Sequence, residues 1–269
     1  MAFSTKKLVL DGVLWSGFQM VVSQSFSFLI KLILAKILFP DDFGLVGMAI
    51  VFTGFIQVVN DLGIGAALIQ RKEKSLRSEH FDTAFWTGLI WATILYLIMC
   101  LVIGPFASIF YNEPILKELI PVLSLGILAS PVNLVHKSQL TRLMNFKKIA
   151  IIENISSIFS GLISLLLAFL GAGIWSLIFN SIVVIIAAIP LYFNATGWKP
   201  RLIWERKAFK DIFSFGIFTT GTNIINYIFN NVDFLLIGKL LNANILGVYS
   251  LAFMLTDTFK NRLSAVMSK

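Results

Sequence analysis

Long apolar stretches, several of them beyond the roughly 18 residues that mark a transmembrane helix, run through almost the whole chain. In hydrocarbon a backbone has no water to satisfy its N–H and C=O groups, so each stretch must close its own hydrogen bonds as a helix. The composition agrees. Only 13% of residues are charged and 57% are hydrophobic, with a mean hydropathy of +0.86, against roughly 25% charged in a soluble domain. The chain reads as an all-α polytopic membrane protein with about eight transmembrane helices. Apolar runs and breakers place them at about 12–36, 44–67, 84–108, 116–136, 150–170, 173–194, 212–238 and 245–260. The third is expected to end near Gly104-Pro105, and Gly171-Ala172-Gly173 forms a tight turn between the fifth and sixth. Lys6 and Lys7 precede the first stretch, which is too long for a signal h-region and reads as an uncleaved span.

Charge sets the orientation. Eighteen Lys and Arg fall before the first helix or after the second, fourth, sixth and eighth, whereas Lys36, Lys117 and Lys239 alone fall on the other side. That asymmetry predicts a cytoplasmic N-terminus in a cell inner (plasma) membrane, and it accounts for the net charge of +8 without nucleic acid. Trp86, Trp175 and Trp198 lie near predicted helix ends, as in an aromatic belt. Cys100 is the single cysteine, so no internal disulfide can form.

One stretch occurs twice. Leu34-Ala-Lys-Ile-Leu-Phe-Pro-Asp-Asp-Phe-Gly-Leu-Val-Gly-Met-Ala is echoed from Ile237 by Ile-Gly-Lys-Leu-Leu-Asn-Ala-Asn-Ile-Leu-Gly-Val-Tyr-Ser-Leu-Ala. An offset of 203 residues pairs Lys36 with Lys239, Gly44 with Gly247, Ala49 with Ala252 and Thr53 with Thr256. Six spans separate equivalent points, so the halves are parallel, related by an axis along the membrane normal. The expected organisation is a six-helix lobe over 1–197, a linker at 198–211, and the first two helices of a second lobe over 212–269.

The offset extends into the helices. Ser16, Gln19, Ser23 and Ser27 follow helical spacing, with Lys31 a turn further; Thr219, Thr222 or Asn223, Asn226, Asn230 and Asp233 do the same in the seventh helix. Individually, such groups are routine helix–helix contacts. As stripes ending in ionisable groups they predict two walls of a water-filled cavity. Lys31, Gln19, Ser23, Asn223, Asn226 and Asn230 are the candidate substrate-binding residues, and Asp233 the candidate for ion coupling. Lys31 is equally able to snorkel to the interface. Asp61 reads as a solvated helix end, and Glu153 as an acid favoured at a helix N-terminus.

Enzyme chemistry is not visible. There is no Gly-Lys-Ser/Thr phosphate loop and no Gly-x-Ser-x-Gly, and His80 and His136, read as loop residues, have no partner at metal-ligand spacing. Asp41-Asp42 beside Pro40 reads as a turn and helix cap. No catalytic residue, metal or cofactor is expected.

The repeated stretch resembles the loop between the first two helices of polysaccharide (O-antigen type) flippases. Asp61-Leu-Gly-Ile-Gly-Ala-Ala-Leu-Ile-Gln-Arg-Lys is similar to the end of their second helix. Trp198-Lys-Pro-Arg, Phe215-Gly, Asn231-Val-Asp-Phe-Leu-Leu-Ile-Gly-Lys and Leu246-Gly-Val-Tyr-Ser-Leu-Ala resemble their linker and seventh and eighth helices. The resemblance, to the multidrug/oligosaccharidyl-lipid/polysaccharide superfamily, implies two six-helix lobes around a central cavity. It implies a flippase that moves undecaprenyl-diphosphate-linked glycan to the outer leaflet by alternating access on an ion gradient. Membrane lipid and other polysaccharide-assembly proteins are the implied partners. The family's second lobe has about six helices where this chain offers two, so the chain is expected to be C-terminally truncated. The alternatives are a multidrug exporter of the same fold, which would use acidic groups for cationic drugs, a membrane glycosyltransferase or polymerase, and an inactive fragment.

Overall fold

The computed structural model describes residues 2–70 and 77–267, with side chains outside the description at 2–13, 16, 20, 214–219, 255 and 257–267. Ser16, Thr219, Lys6, Lys7, Arg71, Lys72, Lys74, Lys260, Arg262 and Lys269, all used in the sequence reading, lie outside the described side chains.

The described chain is helical, and among the described residues there is no strand. The helices are α1 (Ala2–Ile37), α2 (Pro40–Asp61), α3 (Ile64–Gln70), α4 (Ser78–Ile98), α5 (Gly104–Tyr111), α6 (Leu116–Arg142), α7 (Phe146–Phe169), α8 (Trp175–Thr196), α9 (Arg206–Leu240) and α10 (Ala243–Met267), with a π-turn, Met99–Ile103, joining α4 to α5. Six spans among the described residues are long and apolar enough to cross a membrane: Gly17–Ile37, Pro40–Gln70, Ser78–Tyr111, Leu116–Arg142, Phe146–Phe169 and Trp175–Thr196. Ala243–Met254 is a shorter apolar stretch.

Three expected helices differ in detail. The second is not continuous. Leu62 and Gly63 take positive φ, 47° and 62°, which ends α2 and restarts the chain as α3. The third does not stop at Gly104-Pro105. Proline has no N–H and its ring crowds the carbonyl four residues back. The preceding turn widens so that Gly104 N–H reaches Met99 O, and the helix continues to Tyr111. α6 extends past the expected end near residue 136. His136 is therefore inside that helix, fully buried, with Nδ1 2.7 Å from Thr196 Oγ1; His80 is likewise buried in the first turn of α4. Neither is a loop residue.

The end of α3, the start of α4 and the α6–α7 and α8–α9 connections gather at one end of the bundle, called here the basic face. Arg142 there donates to Leu68 and Ile69 carbonyls, and Lys148 to Ala195 O. The segment read as a linker divides. Residues 198–205 are non-helical, and α9 starts at Arg206. The non-helical part is fastened to α4. Asp82, 0% exposed, accepts from Arg201 N–H at 3.0 Å and from its guanidinium at 2.9 and 3.1 Å. Arg77 pairs with both oxygens of Glu205 at 2.8 Å, and Trp86 and Trp204 donate to Arg201 O and Thr87 Oγ1. Trp86 and Trp198 thus serve this junction: Trp198 packs edge-on to Phe85 and His136.

Packing follows small residues. α1 lies along α7, where a β-carbon on Gly161 would come within 2.7 Å of Phe26. α7 pairs with α8, α8 with α6, and α6 with α4. The largest core cluster, including Leu34, Met48, Met99, Leu119, Ile120, Ile178 and Leu246, ties α2 to its neighbours.

The repeat is visible in three dimensions. Shifting α1 and the start of α2 by 203 residues lands on α9 and the start of α10. Moreover α2 and α10 cross on each other through equivalent residues. A β-carbon on Gly44 would lie 1.7 Å from Ala243 O, and one on Gly247 would lie 1.8 Å from Pro40 O. Asn244 donates to its own repeat equivalent, Asp41, at 3.0 Å, and Gly47 faces its equivalent, Ser250. Reciprocal contacts of this kind are what a local two-fold produces. Backbones approach this closely only where no side chain intervenes. α9 also rests on α2: Tyr227 Oη donates to Ile50 O and Val51 O at 3.1 and 3.0 Å, in space left by Gly54.

Candidate functional site

In the half of the bundle nearer the basic face, α1, α2, α6, α7 and α8 surround a cavity of about 680 Å³. That is the size range of small-molecule sites. Twelve of its sixteen lining residues are polar or ionisable: Gln19, Ser23 and Ser27 from α1, Gln57 and Asp61 from α2, Ser130, Asn133 and Lys137 from α6, Glu153, Ser156 and Ser157 from α7, and Tyr192 from α8; Leu134, Val184, Ile185 and Ala188 complete the wall.

Glu153 is its hub. It stands two turns inside α7, too far along for the helix N-terminus to explain it. Its carboxylate accepts from the Gln19 amide, the Lys137 ammonium and, at 3.3 Å, the Tyr192 hydroxyl. The Glu153 side chain is only partly withdrawn from water and Lys137 is half exposed, so the pair is held by its geometry and the extra donors on its carboxylate more than by burial. Here three other helices supply the donors, so the cluster also fixes how α1, α6, α7 and α8 sit together. Ser27 and Ser157 hydroxyls lie 3.4 Å apart, a second α1–α7 link.

Other lining groups are held but not saturated. Asn133 donates through Nδ2 to Ile185 O at 2.9 Å, which orients its carbonyl oxygen the other way. Among the described residues that Oδ1, Asp61 Oδ1 and Ser156 Oγ have no protein hydrogen-bond partner. No group of three or more His, Cys, Asp or Glu converges among the described residues, so this lining offers nothing with the donor set of a metal centre.

The sequence-derived site residues separate in space. Gln19 and Ser23 line the cavity. Lys31 is exposed on α1, beyond Ser27 toward the opposite face and outside the lining. Asn223, Asn226 and Asn230 are exposed along α9, apart from this cavity. Asp233 accepts from the Tyr249 hydroxyl of α10. Asp61 and Glu153, read from sequence as helix-end acids, and Lys137, read as loop charge, belong to the cavity, as do Asn133 and Tyr192, to which the sequence reading gives no role. A signal existed: Glu153, Ser156 or Ser157, Ser160 and Ser164 repeat at helical spacing as the α1 stripe does, and Asn133 and Lys137 are four apart on α6. Lys137 was counted as loop charge because α6 was ended too early.

An all-helical bundle with several candidate membrane spans, a 203-residue internal repeat and a cavity between its spans has the architecture shared by many membrane transporters. Within that class, residues 33–269 match the family model described as polysaccharide biosynthesis protein, and the chain belongs to that family. It is 27% identical over 219 residues to the teichuronic acid biosynthesis protein TuaB of Bacillus subtilis, covering 81% of this chain and 45% of that one. It is 29% identical over 248 residues to the succinoglycan biosynthesis transport protein ExoT of Rhizobium meliloti, covering 91% and 49%. With the lipopolysaccharide biosynthesis protein WzxC of Escherichia coli the figures are 25% over 276 residues, 99% and 54%. The chain spans about half the length of the curated relatives it matches. No solved structure matches it.

Proposed function

We propose that this chain works in a flippase that carries lipid-linked oligosaccharide or polysaccharide repeat units to the outer leaflet of the cell membrane by alternating access. The observation that carries the reading is the polar cavity among five spans. Hydroxyls and amides in a membrane interior have no role in lipid contact, but they suit a sugar head drawn into the bundle while its polyprenyl tail stays in lipid. The family membership and the relatives' names support the same cargo class.

The basic face is assigned to the cytoplasm by the positive-inside rule, with the N-terminus there. The cavity then lies in the half of the membrane from which cytoplasmically built units are loaded. The α2–α10 crossing lies on the opposite side as the outer seam. Undecaprenyl diphosphate is the proposed carrier. Gln19 and Ser23 are assigned to sugar contacts at loading, and Asn223, Asn226 and Asn230 to the facing wall. Lys31 is assigned to the diphosphate along the outward path, and Asp233 to ion coupling. The role is transport, with no bond made or broken.

The test is deletion of the gene followed by analysis of both leaflets. Lipid-linked units should accumulate on the cytoplasmic leaflet and surface polysaccharide should fall, with rescue by the full-length gene. Unchanged surface polysaccharide sinks the reading. Asp61 and Glu153 in one cavity are also what a cation-drug exporter of this fold would employ. A drug-susceptibility panel on the same strain separates the two: hypersensitivity with normal polysaccharide favours the exporter.

A further inference from the structure

We infer that a groove between α7 and α8 at the basic face binds an anionic phospholipid, with its phosphate on Lys148 and an acyl chain along the isoleucines beyond. The inference does not rest on the flippase reading; it needs only that α7 and α8 span the membrane, as their length and apolarity allow. The groove is an open space of about 300 Å³. It shares two helices with the polar cavity but no lining residue. Ile152 on the groove side packs with Ala188 and Tyr192 on the cavity side in one buried apolar cluster, so the α7–α8 contact stands between the two spaces.

The groove's lining divides by chemistry. Lys148, Asn194 and Ala195 form its end at the basic face, and Ile151, Ile152, Ile155 and Leu191 form the rest. Among the described residues no acid lines it. From Lys148 to Ile155 the helix rises about 10 Å, within the roughly 15 Å of hydrocarbon in one leaflet. Ile151 and Ile155 are exposed, so the groove opens sideways to lipid. Isoleucine is stiff at χ1, and a wall set beforehand lowers the cost of ordering a ligand on it.

The placement of Lys148 supplies the head contact. A lysine that only snorkels carries its ammonium away from apolar surface into water. Lys148 instead reaches across to α8 and donates to Ala195 O at 2.9 Å, which holds the ammonium at the groove's end. That bond takes one of three N–H groups and leaves two for phosphate oxygens. Lys147, its neighbour, turns to α1 and lies 5.1 Å from the centre of the Trp15 ring. A cation above an apolar trough fits a ligand with an anionic head and a hydrocarbon tail, the chemistry of lipids held in basic pockets between spans. A free phosphate would leave the isoleucines uncovered. A lateral groove exchanges with the surrounding bilayer, whose bulk is phospholipid, so phospholipid is the occupant; undecaprenyl phosphate has the same two parts and is an arm of the test.

The test uses the purified full-length gene product in phosphatidylcholine vesicles carrying a trace of phosphatidylglycerol with a diazirine in its acyl chain. After photolysis, adducts are mapped by peptide mass spectrometry. Labelling should fall on residues 151–155 and 191–195, and excess phosphatidylglycerol should suppress it where the same excess of phosphatidylcholine does not. Lys148→Gln should reduce it about three- to fivefold, Lys148→Arg should keep most of it, and Lys147→Gln should leave it unchanged. Ile155→Trp, which fills the trough from an exposed position, should reduce it as well, so a folding defect at Lys148 does not decide the result. Labelling confined to other residues, equal suppression by phosphatidylcholine, or stronger suppression by undecaprenyl phosphate than by phosphatidylglycerol overturns the inference. So does labelling unmoved by both Lys148→Gln and Ile155→Trp, or lost as fully in Lys148→Arg as in Lys148→Gln.

Discussion

Replacing Gly44 with alanine should force α2 and α10 apart. The added methyl would lie 1.7 Å from Ala243 O, a backbone atom that no rotamer change can move. Ordinary carbon–oxygen contact needs about 3.3 Å, so the helices must separate locally by about 1.6 Å. Overpacking of this kind costs about 1–3 kcal/mol. The displacement also stretches the Asn244–Asp41 hydrogen bond, adding about 0.5–1 kcal/mol. A total near 2–4 kcal/mol should lower the melting temperature by roughly 5–15 °C, read by circular dichroism of the purified protein in detergent. Gly247→Ala meets Pro40 O in the same way and should cost about as much. Because one separation of the helices relieves both clashes, the double variant should lose clearly less than the sum. Gly17→Ala, with nothing within 4 Å of the new methyl, is the control and should be neutral or slightly stabilising. Two single variants melting within about 2 °C of the parent, or strict additivity in the pair, would refute the reciprocal crossing.

Arg201→Ala leaves Asp82 buried without its cation and should cost about 2–4 kcal/mol, somewhat less than a fully buried broken pair because Arg201 is half exposed; Arg201→Lys should recover only part, since one ammonium cannot reproduce the guanidinium's two bonds. Thermal melts of the two variants check this. Tyr227→Phe removes the hydroxyl shared between Ile50 O and Val51 O and should destabilise by about 0.5–1.5 kcal/mol, visible as a small drop in the same melts. In a Lys137→Met, Glu153→Gln double-variant cycle, the single changes should each reduce surface polysaccharide in the complemented deletion strain, and their effects should be non-additive, since both act on one ion pair. Lys31→Met should cut export if Lys31 meets the diphosphate; normal export withdraws that role.

The α1 stripe and Glu153 show how far the chain could be read without its fold. Gln19 and Ser23 were recognisable because helical periodicity is local, and polar groups at that spacing in an apolar span need a reason wherever they sit. Glu153 had a sufficient local explanation, an acid near a helix start. What makes it central is the arrival of Gln19, Lys137 and Tyr192 from three other helices, and no spacing along the chain encodes that. The loss of Lys137 followed from a boundary: ending α6 a turn and a half early turned a cavity cation into loop charge.

By itself the sequence determined that the chain is helical, that it crosses a membrane several times, and that its halves are related by 203 residues. Each of these follows from what a segment must do alone in lipid, where backbone hydrogen bonds close within the helix and apolar length is set by bilayer thickness. Lateral order was decided only by the tertiary structure. Lipid tails are as apolar as the side chains facing them, so hydrophobicity does not choose a helix's neighbour; close approach at small residues and hydrogen bonds between helices do. Those contacts placed Gly44 on Ala243 and Gly247 on Pro40, held the 198–205 segment against Asp82, and drew residues of five helices around one cavity.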